Sequence, residues 1–255
     1  MSADGAPISE DAVLDGKLIL RQPARGHRFG HDSVLLAAAT PARPGEHAVE
    51  LGAGVGAAGL ALAHRVGGLT VTLVEIDPAL TALARENAAR NALAECVRAV
   101  CLDVEAQAGE FAAAGMAPGS ADHVLMNPPF NAAHNQSPDG ARRLARTASD
   151  ETLARWLRAA ARLLRPQGMV TLIWRADGLG DVLAALAGGF GAVTVLPVHP
   201  KPGAVAIRAL VRGVKDSGAP LRLLPGLVLA DAENRPSAET QAVLRGGAAL
   251  VLDEG

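Results

Sequence analysis

Residues 47–93 read HAVELGAGVGAAGLALAHRVGGLTVTLVEIDPALTALARENAARNAL. AVELGAG is a short apolar run ending in glycines, and VGAAGLALAHRV after it has helical composition. TVTLVEID is a second buried strand, and PALTALARENAARNAL opens with Pro78 near a helix N-terminus and carries charge on one face. The unit then repeats. VRAVCLDV (97–104) and HVLM (123–126) supply a third and a fourth strand, with the Gly/Ala/Pro stretch 108–119 between them as a loop or short helix. Asp150 can cap a helix to about Leu164, GMVTLIWR (168–175) is a fifth strand, and a helix follows from about Gly178 to Ala187. AVTVLPVHP (192–200) and AIRALVRGVK (206–215) close with two more strands. Strands alternating with helices predict a parallel sheet, and two consecutive strands at the end predict an antiparallel final strand. The expected fold is α/β: a doubly wound, seven-stranded, mostly parallel, Rossmann-like sheet.

Around this unit, residues 1–46 read as an N-terminal tail and accessory segment. The tail is frayed to about residue 12, LDGKLILRQP (14–23) is a short strand or hairpin, and Gly26 to Gly30 form a turn. The main domain spans 47–218, and 219–255 is an extension of the same globular unit. NAAHNQSPDGARRLARTAS (131–149) reads as a polar, mobile loop. A chain of 255 residues, 49% hydrophobic and 20% charged, suits one substantial core. With four Phe, two Trp and no Tyr, that core is aliphatic, and an aromatic inside a motif, such as Phe130, stands out.

A net charge of −2 argues against a protein that coats nucleic acid through charge alone, though a local basic patch can still dock one structured RNA. Cys96 and Cys101 lack metal-ligand or disulfide spacing and read as reduced thiols, and no histidine spacing suggests a metal. The acidic N-terminus is unlike a secretion signal, and no apolar run approaches the roughly 20 residues that span a bilayer. The expected location is cytoplasmic, with no membrane partner.

In Glu50-Leu51-Gly52-Ala53-Gly54-Val55-Gly56 the glycines let the chain turn sharply and let a ligand approach the backbone. Gly52-x-Gly54-x-x-Ala57 also satisfies the dinucleotide fingerprint, so the loop alone does not separate cofactors. Glu75, 23 residues after Gly52, is placed to accept hydrogen bonds from ribose hydroxyls, and Asp103 to pair with an adenine amino group. Glu50, Gly52, Gly54, Gly56, Glu75, Asp77 and Asp103 form the expected cofactor set, with Asn127 at its edge.

Asn127-Pro128-Pro129-Phe130 decides between cofactors. It follows an apolar strand and falls at the carboxyl end of the sheet. The prolines fix the backbone, so that the Asn127 amide and the Pro128 carbonyl face one small planar group. An exocyclic adenine amine or a glutamine carboxamide is a poor nucleophile because its lone pair is delocalised. Two acceptors aimed at its N–H bonds localise that pair toward a methyl donor. Asn127, Pro128 and Phe130 are therefore the expected catalytic residues. Phe130 would stack on the target, a contact worth about 1–3 kcal/mol for a base, beside Pro129.

Taken together, these motifs resemble the class I methyltransferases over about residues 47–215. More narrowly, Gln22-Pro23 with Gly26-His27-Arg28-Phe29-Gly30-His31-Asp32-Ser33-Val34-Leu35-Leu36-Ala37 looks like the bacterial tRNA(Val) adenine N6-methyltransferase family. Pro200-Lys201-Pro202 and Ala206-Ile207-Arg208 also resemble it. The resemblance implies S-adenosyl-L-methionine as cofactor, with Phe29, Asp32 and Ser33 packed near it, and tRNA as substrate.

Arg142, Arg143 and Arg146, with Lys201 and Arg208, are the expected contacts to an RNA backbone, which position a substrate without reading its sequence. An anticodon loop presents unstacked bases at low cost, which favours RNA over duplex DNA. A protein-glutamine N5-methyltransferase and a ribosomal RNA guanine N2-methyltransferase remain open, as does a noncatalytic RNA-binding protein. A nicotinamide dehydrogenase leaves Asn127-Pro128-Pro129-Phe130 idle.

Overall fold

A computed structural model describes residues 7–25, 28–129 and 139–252, with 139–150 as helix backbone alone. The strands of the main sheet are β3 (His47–Leu51), β4 (Thr70–Glu75), β5 (Val97–Cys101), β6 (Ala121–Met126), β7 (Leu164–Arg175), β8 (Phe190–His199) and β9 (Arg208–Lys215). They lie side by side in the order β5-β4-β3-β6-β7-β9-β8. All neighbours are parallel except β9, which runs antiparallel to both β7 and β8. The expected seven strands are extended to nine. β10 (Arg222–Leu223) and β11 (Leu227–Val228) each add two residues parallel to β8, too short to carry a periodic signal.

Helices cover both faces. α1 (His31–Ala39), α2 (Ala57–Arg65), α3 (Pro78–Arg90) and α7 (Ala238–Leu244) lie with one core cluster, and α4 (Ala108–Ala113), α5 (Asp139–Leu163) and α6 (Leu179–Leu186) with the other. Neighbouring strand residues feed opposite layers, as the pleat requires: Leu73 joins the first cluster and Val74 the second. The alanines of α2 bring it close to the sheet. A Cβ at Gly59 would stand 2.4 Å from Leu73 Cδ2 and 2.8 Å from Glu50 Oε2.

Two segments differ from the sequence expectation. The stretch expected to be a frayed tail to about residue 12 is strand from Ile8: β1 (Ile8–Val13) pairs antiparallel with β2 (Leu18–Pro23). The other edge of β2 is satisfied by side chains of α3. Asn87 Oδ1 accepts from Arg21 N at 2.8 Å and Asn91 Oδ1 from Ile19 N at 2.9 Å, while both amides donate back to the same residues' carbonyls. One helical turn on α3 thus matches two residues of strand, and a strand edge is closed without a third strand. The polar loop expected over 131–149 is helical from Asp139, because Ala141 to Arg146 are nearly all strong helix formers. Residues 130–138 lie outside the described residues.

The C-terminal segment packs against α1. Ser237 Oγ accepts from Thr240 N at 3.1 Å to start α7, Leu250 N donates to Ala38 O at 2.9 Å, and Val243, Leu250 and Leu252 join the α1 cluster. Among the described residues no helix is long and apolar enough to cross a membrane.

The sheet order turns back at β3, whose neighbours β4 and β6 lead in opposite directions. In an open α/β sheet, a crevice opens at such a switch point beyond the carboxyl ends of the strands.

Candidate active site

The crevice is a cavity of about 680 Å³, within the range of small-molecule sites. Gly52 and Gly54 reach it from the end of β3, Glu75 from β4, Asp103 from just beyond β5, and Asn127, Pro128 and Pro129 from beyond β6. Phe29, Asp32, Ser33 and Arg208 complete it from the other side. Glu50 lines a smaller adjoining recess together with Asn127 and Ser33.

Glu75 is held in place by backbone. Its Oε2 accepts from Gly54 N at 2.7 Å and its Oε1 from Asp77 N at 2.9 Å, which leaves further lone pairs on both oxygens for a ligand. Asp103 is similarly set, its Oδ1 accepting from Glu105 N at 2.8 Å. At Asn127 the balance differs: Oδ1 is buried and, among the described residues, has no hydrogen-bond partner. An orphaned buried acceptor costs roughly 1–3 kcal/mol, a cost that a donor on a ligand in this cavity would relieve.

Gly52 has φ +67°, and a Cβ there would stand 2.3 Å from Trp156 Cη2. Trp156, on α5, lines the cavity and presses on the glycine loop. No motif in the sequence singles it out. With only two Trp in the chain, its place on the helix after the Asn127 motif was the available signal.

Several expected residues serve elsewhere. Asp77 caps α3, its Oδ1 accepting from Ala79 N at 2.7 Å and Leu80 N at 3.2 Å, and it is not among the residues that line the cavity. Gly56 (φ +86°) starts α2 against Leu73, where a Cβ would come within 2.7 Å, and is a packing requirement. Lys201 donates to Ala232 O at 3.3 Å, away from the cavity lining. Arg208 stands at the cavity itself, its Nε 2.8 Å from Asp32 Oδ2. Arg142, Arg143 and Arg146 fall on the first turns of α5, where only backbone is described, and Phe130 lies outside the described residues.

Burial pushes the Glu50 carboxyl up to about 8, aided by the charge of Glu75 and opposed by the Gly59 N–H, which donates to Oε2 at 2.7 Å. Below its ordinary value of 4.5 the group is protonated in folded and unfolded chains alike. As pH rises from there to about 8 the unfolded chain releases a proton that the fold retains, so this contribution to stability falls and then levels off. Glu50→Gln, which keeps an acceptor for Gly59, is expected to remove that loss. Denaturant unfolding should find the variant more stable than the parent at pH 8, by on the order of 4 kcal/mol, with the gap closing toward pH 4.5.

Residues 27–200 match the family model of the methyltransferase small domain. Relatives with similar sequences include the tRNA1(Val) (adenine(37)-N6)-methyltransferase of Tolumonas auensis, 31% identical over 63% of this chain and 64% of that protein. The protein of the same name from Aeromonas hydrophila is 30% identical over 72% and 75%. The chain thus spans just under two thirds of the length of the Tolumonas relative. Among solved structures, a predicted O-methyltransferase from Agrobacterium tumefaciens superposes with a TM-score of 0.74 at 27% identity, covering 86% of this chain and 98% of that one. TrmN from Thermus thermophilus gives 0.51 at 25% identity, covering 71% and 47%. With the strand order, the switch-point cavity and a family match running from the segment before α1 to the end of β8, the chain belongs to the methyltransferase small domain family.

Proposed function

We propose that the protein is an S-adenosyl-L-methionine-dependent N-methyltransferase whose target is the exocyclic N6 of an adenine in tRNA. The observation that carries this reading is the Asn127 Oδ1, buried without a hydrogen-bond partner among the described residues, at a cavity that Pro128 also lines.

The residues present fit the cofactor. Glu75 retains acceptor capacity for two ribose hydroxyls, Asp103 offers a carboxylate to an adenine amino group, and Ile76 and Leu80 supply apolar surface beside them. Gly52 and Gly54 let a ligand approach the backbone, and Phe29, Asp32 and Ser33 close the site from above. Bound there, S-adenosylmethionine supplies an electrophilic methyl group.

The chain's task is then to make an amine nucleophilic. Asn127 Oδ1 and the Pro128 carbonyl accept its two N–H bonds, draw the nitrogen toward tetrahedral geometry and free its lone pair, without a strong base. Pro129 lies exposed at the mouth, next to Phe130, to which we assign stacking on the base. Arg28 and Arg208 at the cavity, with Arg142, Arg143 and Arg146 on α5, supply positive charge for a phosphate backbone. The names of the relatives, adenine N6 enzymes of tRNA, support the choice of RNA over a glutamine side chain.

Glu75→Ala should weaken S-adenosylmethionine binding about 100-fold, since it removes charge-assisted hydrogen bonds and the anchor of the Gly54 loop. Isothermal titration measures this. With radiolabelled cofactor and separate pools of total RNA and total protein, label is expected in small RNA. Label confined to protein would point instead to the glutamine reading.

A further inference from the structure

Gln22 is buried, 2% exposed, on a strand that contributes nothing else to the chemistry considered so far. Both ends of its amide are used. Nε2 donates to Asp11 Oδ2 at 2.8 Å, and Oε1 accepts from Phe29 N at 3.1 Å. An amide could present either end, but ionised Asp11 is an acceptor only, so it takes the NH2 end and leaves the oxygen facing Phe29. The same Asp11 oxygen accepts from Ser9 Oγ and from Arg28 Nη2, each at 2.9 Å. These bonds, that from Gln22 foremost, hold the Asp11 carboxyl below its usual range despite the opposing effect of burial.

The bonds run from the β1–β2 hairpin to the segment Arg28–Ser33, whose residues Phe29, Asp32 and Ser33 border the cavity. The hairpin is itself referenced to the glycine loop, because Asn87 Nδ2 donates both to Arg21 O and to Val55 O at 3.0 Å. Gln22 and Phe29 share the recess with Glu50 and Asn127. We infer that Gln22 is a positioning residue of the cofactor site: its amide, oriented by Asp11, fixes the Phe29 backbone and so holds Arg28–Ser33 over the cavity. This rests on the cavity being the S-adenosylmethionine site.

Among the described residues, the charged groups bonded to Gln22 or its partner Asp11, or sharing its recess, are Asp11 on β1, Arg28 in the Arg28–Ser33 segment and Glu50 across the recess on β3. Gln22→Glu sets a carboxylate against Asp11 and has the shape of the native side chain. At pH 8 it should weaken S-adenosylmethionine binding by about tenfold or more, read by isothermal titration. Near pH 5.5 the facing carboxylates share a proton, the acid donates to Asp11 as the amide did, and affinity should return to within about threefold of the parent. Adding Asp11→Asn to Gln22→Glu reverses the polarity of the pair and should restore binding at pH 8. Gln22→Ala should bind weakly at both pH values. Glu50 is common to all four proteins, so its own titration appears in the parent and is subtracted. Circular dichroism melts check that each variant is folded.

Gln22→Glu binding like the parent at pH 8 would overturn the inference. So would weak binding that neither low pH nor Asp11→Asn relieves, which would mark Gln22 as merely structural. If the parent itself binds no S-adenosylmethionine, the cofactor reading fails and this inference with it.

Discussion

Asn127→Ala is expected to lower the rate of methyl transfer to tRNA by about 10²–10³-fold, the scale seen when one preorganised hydrogen-bonding group is removed from a transition state. Cofactor affinity should stay within about twofold, since Glu75, Asp103 and the glycine loop are untouched. Thermal stability should not fall. Among the described residues the Asn127 oxygen is buried without a partner, so deleting it removes a desolvation cost of roughly 1–3 kcal/mol instead of a bond. Activity lost together with a rise in melting temperature separates a functional acceptor from a structural one. Single-turnover kinetics and a melt on the same preparation supply both numbers, and a parallel loss of stability would count against this role for Asn127.

At Gly52→Ala the expected effect is on the fold as well as the site. The new methyl group has to adopt φ +67° and stand 2.3 Å from Trp156 Cη2 and 2.8 Å from Cζ3. Left-handed backbone costs about 1–2 kcal/mol for a residue with a Cβ, and overpacking adds about 1–3. A destabilisation of about 2–5 kcal/mol follows, with weaker cofactor binding because Trp156 and the loop both border the cavity. In a Trp156→Leu background the steric part should vanish and leave the backbone part, about 1–2 kcal/mol. Denaturant unfolding of the four proteins of this cycle measures the coupling. Additive effects would show that the indole does not press on the loop.

The alternation from His47 onward made the parallel sheet legible, because β3, β4 and β6 are largely buried apolar runs and α2 and α3 open with a glycine and an Asp cap. Asn127 and Glu75 could be placed for the same reason, as residues at the carboxyl ends of recognisable strands. β1 could not: ISEDAV reads as a polar tail, and it becomes a strand because Asn87 and Asn91, more than 60 residues away, close the far edge of its partner. Asp77 looked like a ligand by its place beside Glu75, and only its bonds to Ala79 and Leu80 show it as a helix cap. Trp156 falls inside the helix expected from Asp150, where an apolar residue reads as core, and only its approach to Gly52 at the cavity marks it as a site residue. Long-range contacts outweighed the local pattern at β1 and Trp156, whereas Asp77 is settled by hydrogen bonds two and three residues along the chain.

The central claim is that the acceptors at the end of β6 take an aromatic amine. Its most direct test is methylation of unmodified tRNA with labelled S-adenosylmethionine, followed by digestion to nucleosides and mass analysis. The account predicts N6-methyladenosine as the labelled product, lost with Asn127→Ala. Label on a ribose oxygen or a ring carbon, or N6-methyladenosine formed equally well by Asn127→Ala, would contradict it.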